Sequence, residues 1–311
     1  MKSNNSNEEE DSTDVLVEME ENQFIDTSKI KQWNPEDLPE NFFMLMASKR
    51  RSGKTHLTRH ILKPIKKRFK KAYLFSETAH LQIPDPYDYI PEENRFDHFD
   101  EEAINGILKS QNLIKQQNKK LKKHLQVPNP VLIILDDVIA DKAVRSSITL
   151  KALATQGRHS DISVICLSQT ISARSGFPAV IRQNVDIFIC FTLHDVFNRE
   201  TASECYASII SKKEGMLLIN SITQEKKYQV AVFDISKTHV KHYEDYVYKY
   251  TAPETTPTFK IGISEARKTV TQKKNKSFQW GLAGNNLLNV GVSIILDQDQ
   301  PHSGGIRSIN F

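Results

Sequence analysis

The densest chemistry in this chain lies in Ser48, Lys49, Arg50, Arg51, Ser52, Gly53, Lys54 and Thr55, which run on directly from the apolar stretch Phe42 to Met46. They match the pattern Gly-x-x-x-x-Gly-Lys-Ser/Thr at every position but the first, where Ser48 stands for glycine. Such a loop wraps successive backbone N–H groups around phosphate oxygens at a helix N-terminus, while its lysine reaches the β and γ oxygens and its final hydroxyl holds Mg²⁺. The segment from Ser48 to His56 therefore reads as a cradle for ATP, with Lys54 as the lysine that touches the reacting phosphates and Thr55 as a metal ligand. Gly53 lets the backbone come close, and Ser48 puts a side chain where the loop leaves the strand. Arg50 and Arg51 read either as contacts to phosphate or a neighbouring subunit, or as ordinary exposed cations.

Two later strand ends supply what a phosphate loop lacks. The run Val131 to Leu135 stops at Asp136 and Asp137. A carboxylate at that place is expected to hold Mg²⁺ through water, while its neighbour polarises the attacking water. Asp136 is assigned to the metal and Asp137 to the base, although two acids that merely end a strand would look the same. The next apolar run, Ser163 to Leu167, ends at Gln169, whose amide can bond both the γ-phosphate and the attacking water and so report hydrolysis. That order predicts an extra strand between the phosphate-loop strand and the acidic one, which simple P-loop kinases lack. Just upstream, Arg158 is the first candidate for an arginine offered across a subunit boundary, with Arg174 and Arg182 behind it. A surface ion pair is the competing reading of each.

Other chemistry is weaker. His56 and His60 have i, i+4 spacing but no glutamate follows the first, so a zinc protease is excluded. Ser76 and Glu77 end a strand and read as a cap rather than as part of the site. Cys166, Cys190 and Cys205 form no C-x-x-C pair and read as buried, inert thiols in a reducing compartment.

The elements that must position these residues follow from periodicity. Continuous apolar runs at Phe42 to Met46, Ala72 to Phe75, Val131 to Leu135, Ser163 to Leu167 and Asp186 to Phe191 read as parallel strands covered on both faces. Helices are expected from Lys54 to about Pro64, from about Asp100 to Leu125, from Lys142 to Thr155 and from Val196 to Ile209. Leu81 to Pro91, with three prolines, must be a loop. A closing antiparallel hairpin is expected from Met216 to Ile219 and Tyr228 to Phe233. The fold class is thus α/β, a mostly parallel sheet flanked by helices. Residues 1–30 read as an acidic disordered arm, 31–250 as the ATPase domain and 251–311 as a basic flexible tail with a short apolar segment at Leu287 to Leu296.

The formal charge of +4 conceals a polarity: residues 1–22 carry eight acids against one lysine, while lysines and arginines gather at 63–71, 115–123 and 268–276. Clusters of this kind read as solvated helix faces or as phosphate contacts. No apolar run reaches the length of a membrane span and the N-terminus has no secretory pattern, so no membrane span and no secretion are expected.

The blocks Ala47 to Thr55, Leu132 to Val138 and Gly157 to Gln169, followed by Pro178, Asn184, Asp186 and Ile189, resemble the poxvirus-type genome-packaging ATPases of large DNA viruses and virophages, in the FtsK/HerA superfamily. The resemblance covers about 42 to 233; Ser48 and Arg51, where a small residue is usual, depart from it. It implies a RecA-like P-loop NTPase of the additional-strand type that translocates double-stranded DNA into a capsid, in virions or the viral factory of the host cytoplasm. Its partners would be DNA, capsid or portal proteins, and its own copies in a ring on the order of five or six subunits. A HerA-like translocase in recombination or repair and an ATP-gated DNA-binding scaffold are the alternatives.

Overall fold

In a parallel sheet each strand is covered on both faces, so its sequence must be apolar at every position rather than at alternate ones. That is what the chain does. The computed structural model describes residues 24–262, which fall in one compact unit. Their strands are β1 (Lys31–Gln32), β2 (Phe43–Ala47), β3 (Lys71–Ser76), β4 (Arg95–Phe96), β5 (Val131–Asp136), β6 (Ile162–Ser168), β7 (Ile187–Cys190), β8 (Gln229–Asp234) and β9 (Val247–Thr251). Every residue of β2, β5, β6 and β7 is buried.

The strands form one sheet in the order β1-β9-β8-β7-β2-β6-β5-β3-β4. From β7 through β2, β6, β5 and β3 to β4 all pairs are parallel, while β8 runs antiparallel to both β7 and β9. The strand β6 lies between the phosphate-loop strand β2 and the acidic strand β5, as the order of motifs predicted. Alternate side chains feed two cores. One, under Phe43, Leu45, Ile133, Leu135, Val164 and Cys166, packs on the helices α2 (Glu101–Lys120), α4 (Ile148–Gln156), α6 (Val196–Tyr206) and α7 (Lys212–Glu225). The other, under Met44, Met46, Leu132, Ile134 and Leu167, packs on α1 (Lys54–Ile65) and on Tyr87, Tyr89, Phe259 and Ile261.

Four expectations are corrected. Met216 to Ile219 is not a strand but lies inside α7, whose start is fixed by a capping box between Ser211 and Glu214; the antiparallel partner of β8 at the sheet's end is β9. The helix expected from Lys142 to Thr155 is two, α3 (Lys142–Ser146) and α4, each with its own cap, Asp141 and Ser147. The folded body also extends past both expected boundaries. At the front Ile30 is buried. At the back residues 252–262 lie as a strap along α1: His56 Nε2 donates to Pro253 O (2.8 Å), His60 Nε2 to Thr255 O (2.7 Å) and an Arg59 N–H to Pro257 O (3.2 Å), with Phe259 and Ile261 buried. Cys166 and Cys190 are buried but Cys205 is exposed. Residues 1–23 and 263–311, with the expected acidic arm, the third lysine run and the apolar segment at 287–296, lie outside the described residues. A fifth helix, α5 (Ala179–Gln183), precedes β7.

Candidate nucleotide site

The phosphate loop leaves β2 and enters α1 through Gly53, whose φ of 100° no other residue type adopts easily. Ser48 is fully buried and does not need a positive φ, so the missing glycine is tolerated. Its hydroxyl bonds the Ser52 hydroxyl across the loop. Arg51 does take a left-handed conformation, φ 60°, where the smaller residue of the family pattern would sit more easily. Lys54 is buried; its Nζ folds back to donate to Ser48 O (2.8 Å) and Lys49 O (3.3 Å). Burial lowers the pKa of this amine, and the charges of Asp137 and Asp136 oppose the effect.

Three strand ends are laced together at one edge of the sheet. Ser48 N donates to Ser168 O (3.1 Å) and Asp137 N to Leu167 O (3.1 Å), which ties the phosphate loop and the acidic pair to the end of β6. Gln169 Nε2 donates to Asp137 Oδ2 at 2.9 Å. Asp137 itself has φ 59°, a strained choice for a residue with a side chain, and the turn it makes presents its carboxylate to Gln169. These groups border a cleft of about 230 Å³ lined by Arg50, Asp137, Arg145, Ser168, Gln169 and Thr170, among others. The guanidinium of Arg145 donates to Ile139 O, Ala140 O and Ser175 O, so it clamps the loop after β5 to the loop after β6.

Asp136, at the end of β5, is 6% exposed. Burial raises its pKa to about 6 and the nearby Asp137 charge acts in the same sense, while a hydrogen bond from Tyr87 and the Lys54 charge oppose the rise. Tyr87 Oη donates to Asp136 Oδ2 at 2.8 Å. Sequence reasoning missed Tyr87. The available signal was a pair of tyrosines, Tyr87 and Tyr89, in a proline loop that otherwise has little reason to carry large rings. Ser76 was expected to be a cap; instead it is buried opposite Asp136 in the β3–β5 register, where its hydroxyl bears on that carboxylate, lowering its pKa, without coming within hydrogen-bond distance.

Lys54, Asp136, Asp137 and Gln169 thus converge, with Ser48 to His56 running through the loop into α1. Arg158 does not join them. It lies in the turn before β6, and the seven residues of that strand, roughly 20 Å of chain, separate it from Gln169. Its guanidinium pairs with Asp186 at 3.5 Å, a carboxylate that also accepts from Phe43 N (2.8 Å). Arg182 donates to Ile171 O and Phe177 O, and Arg174 stacks on Phe197 at 3.8 Å.

A strand-loop-helix phosphate loop, an acidic pair two strands away and a glutamine at the end of the strand between them define a P-loop ATPase of the additional-strand class. A family profile described as Poxvirus A32 protein matches residues 31–254. The chain belongs to that family, the poxvirus-type genome-packaging ATPases that its motifs resemble. Among solved structures, the pCW3 conjugation coupling protein TcpA with ATPγS aligns at 13% identity and TM-score 0.51, over 80% of this chain and 75% of that one. The genome packaging NTPase B204 of Sulfolobus turreted icosahedral virus 2, in complex with AMPPCP, aligns at 14% identity and TM-score 0.42, over 68% of this chain and all of the other. The Thermomonospora curvata type VII secretion ATPase EccC aligns at 10% identity and TM-score 0.43, over 68% of this chain and 25% of that one. No curated protein matches the chain at a significant level. Among the described residues no helix is long and apolar enough to cross a membrane.

Proposed function

We propose that ATP hydrolysis at this site drives double-stranded DNA into a preformed viral capsid, through a ring of these chains docked on the capsid or portal vertex. The observation that carries the reading is the convergence of Lys54, Asp136, Asp137 and Gln169 at the carboxyl edge of one sheet, with β6 interposed between β2 and β5. In the cradle, Lys54 exchanges its two loop carbonyls for the β and γ oxygens of ATP. Asp137, oriented by Gln169, takes the proton of the attacking water. Loss of the γ-phosphate alters what Gln169 can bond, and its tie to Asp137 passes that change to the loops clamped by Arg145.

The residues present fit Mg²⁺. This ion is usually bound through one or two side-chain oxygens, with phosphate and water completing its shell. Accordingly the described residues contain no cage of three or more His, Cys, Asp or Glu. Thr55 and Asp136 are the residues that would hold it, and the buried hydroxyl of Ser76, turned toward Asp136 but short of hydrogen-bond distance, suits a coordinated water. Bound there, Mg²⁺ neutralises charge that develops on the phosphates.

The test is turnover with linear duplex DNA. Lys54→Ala is expected to abolish nucleotide binding, read with a fluorescent ATP analogue. Asp137→Asn is expected to keep nucleotide binding, to lose about 100-fold or more in hydrolysis, and to stop DNA movement. An Asp137→Asn protein that still moved DNA would reject the motor and leave a nucleotide-gated scaffold.

A further inference from the structure

The proline loop between β3 and β4 is fastened far more firmly than a connection needs. Tyr87 is fully buried. Its N–H donates to Asp85 Oδ1 (2.8 Å), and its carbonyl accepts from Arg95 NH2 (2.8 Å) and from Ile90 N (2.9 Å). Arg95 also pairs with Asp85 at 2.5 Å and reaches Ile90 O. Arg59, on the helix that starts at the phosphate loop, pairs with Asp88 and donates to Pro86 O. From the other side Ile261 N donates to Tyr89 O (3.0 Å), and the Phe259 ring stacks on Tyr89 with centroids 4.9 Å apart.

All this fixes the position of one hydroxyl, which meets Asp136 Oδ2 at 2.8 Å; the Thr55 side chain bears on the same phenol. Tidiness does not explain it. The neighbouring Tyr89 hydroxyl is equally buried and has no partner at all, so the loop is not built to satisfy its phenols. An ionised carboxylate can only accept, and a phenol locked in place as donor occupies one oxygen and sets the plane of the group.

We propose that Tyr87 is a positioning residue for the metal: by donating to Oδ2 it holds the Asp136 carboxylate in the orientation that presents the other oxygen, together with Thr55, to Mg²⁺. The inference rests on the reading that Asp136 holds the ion. Outer-shell donors of this kind typically govern metal affinity by about 10- to 100-fold. Because the loop is fastened to α1 through Arg59, donor and cradle are held in one frame.

The experiment titrates Mg²⁺ into the full chain with a fluorescent ATP analogue and repeats the binding in EDTA. Tyr87→Phe is expected to raise the Mg²⁺ concentration for half-maximal enhancement of binding by about 10-fold, with the EDTA affinity unchanged. Tyr89→Phe removes a hydroxyl from the same loop without touching Asp136 and is expected to leave both values as they were. A second readout, Mn²⁺ binding followed by electron paramagnetic resonance with nucleotide present, should show the same weakening for Tyr87→Phe alone. The proposal is overturned if Tyr87→Phe keeps the original Mg²⁺ dependence, if it loses EDTA affinity to the same degree, if Tyr89→Phe behaves alike, or if Tyr87→Phe does not fold. Asp136→Asn separates the two layers: an unchanged Mg²⁺ response there removes the metal assignment itself, whereas a lost response with Tyr87→Phe unaffected removes only Tyr87.

Discussion

A carboxylate is costly to bury, and Asp136, at the end of a strand buried on both faces, shows the cost. Its usual pKa of 3.8 is raised to about 6, first by burial. Between these two values the folded chain binds more protons at this group than the unfolded chain, so stability falls as pH rises through the window from about 4 to 6. In EDTA, Asp136→Asn is therefore expected to melt higher than the unsubstituted protein at pH 7, by up to about 3 kcal/mol, and the gain should vanish as the pH approaches 4. Calorimetry at matched pH values checks this; a gain that does not depend on pH would reject it. The same variant should lose turnover. At this scale the placement of Lys54, Asp136, Asp137 and Gln169 was readable, because each stands at or shortly after the end of a run of strand residues and the fold brings those strand ends to one edge. Tyr87 was not, because its partner is 49 residues away and nothing local marks the pairing. Ser76 was misread because a serine at a strand end has a local role that is far commoner than a place opposite a buried carboxylate on the neighbouring strand.

Among the elements, strands buried on both faces were legible since a short run that is apolar at every position, as Val131 to Leu135 is, suits little besides the interior of a parallel sheet. Met216 to Ile219 is apolar for a different reason. It sits in α7 between the sheet and α6, and the Ser211-Lys-Lys-Glu214 cap announced a helix start that the short apolar run overrode. The strap 252–262 escaped notice because side chains of α1 hold it by its backbone carbonyls, an arrangement that leaves threonine and proline in the sequence as if for a loose tail. Its anchor is testable. Phe259 is 6% exposed and packs on Tyr89, so Phe259→Ala should cost about 3 kcal/mol and lower the melting temperature by roughly 6–12 °C. An unchanged melt would show that the strap adds nothing to the stability of the body.

For the whole molecule the open element is the arginine that the proposed ring would need across its subunit boundary. Arg158 is half exposed, lies at the sheet edge away from the phosphate loop and is paired with Asp186. Arg158→Ala is expected to leave nucleotide binding intact and to lower turnover only in assembled, DNA-bound rings; normal turnover there would reduce Arg158 to its ion pair. The fold also gathers charge that the sequence scatters. Lys70 N donates to Pro130 O (2.9 Å), which brings the exposed Lys67 and Lys70 to the same edge as the segment leading out of Lys119, Lys120, Lys122 and Lys123. Which surface would face DNA was not legible, because it depends on how copies assemble. The strap has one more consequence. It begins beside His56 at the phosphate-loop end of α1 and ends with Gly262 against the Lys70 backbone, so it runs the length of that helix. Gly262 takes φ 76° there, with the Lys70 carbonyl 2.8 Å from where a Cβ would stand, so any side chain at this position would pry the end of the strap from the start of β3 and leave its other end on His56.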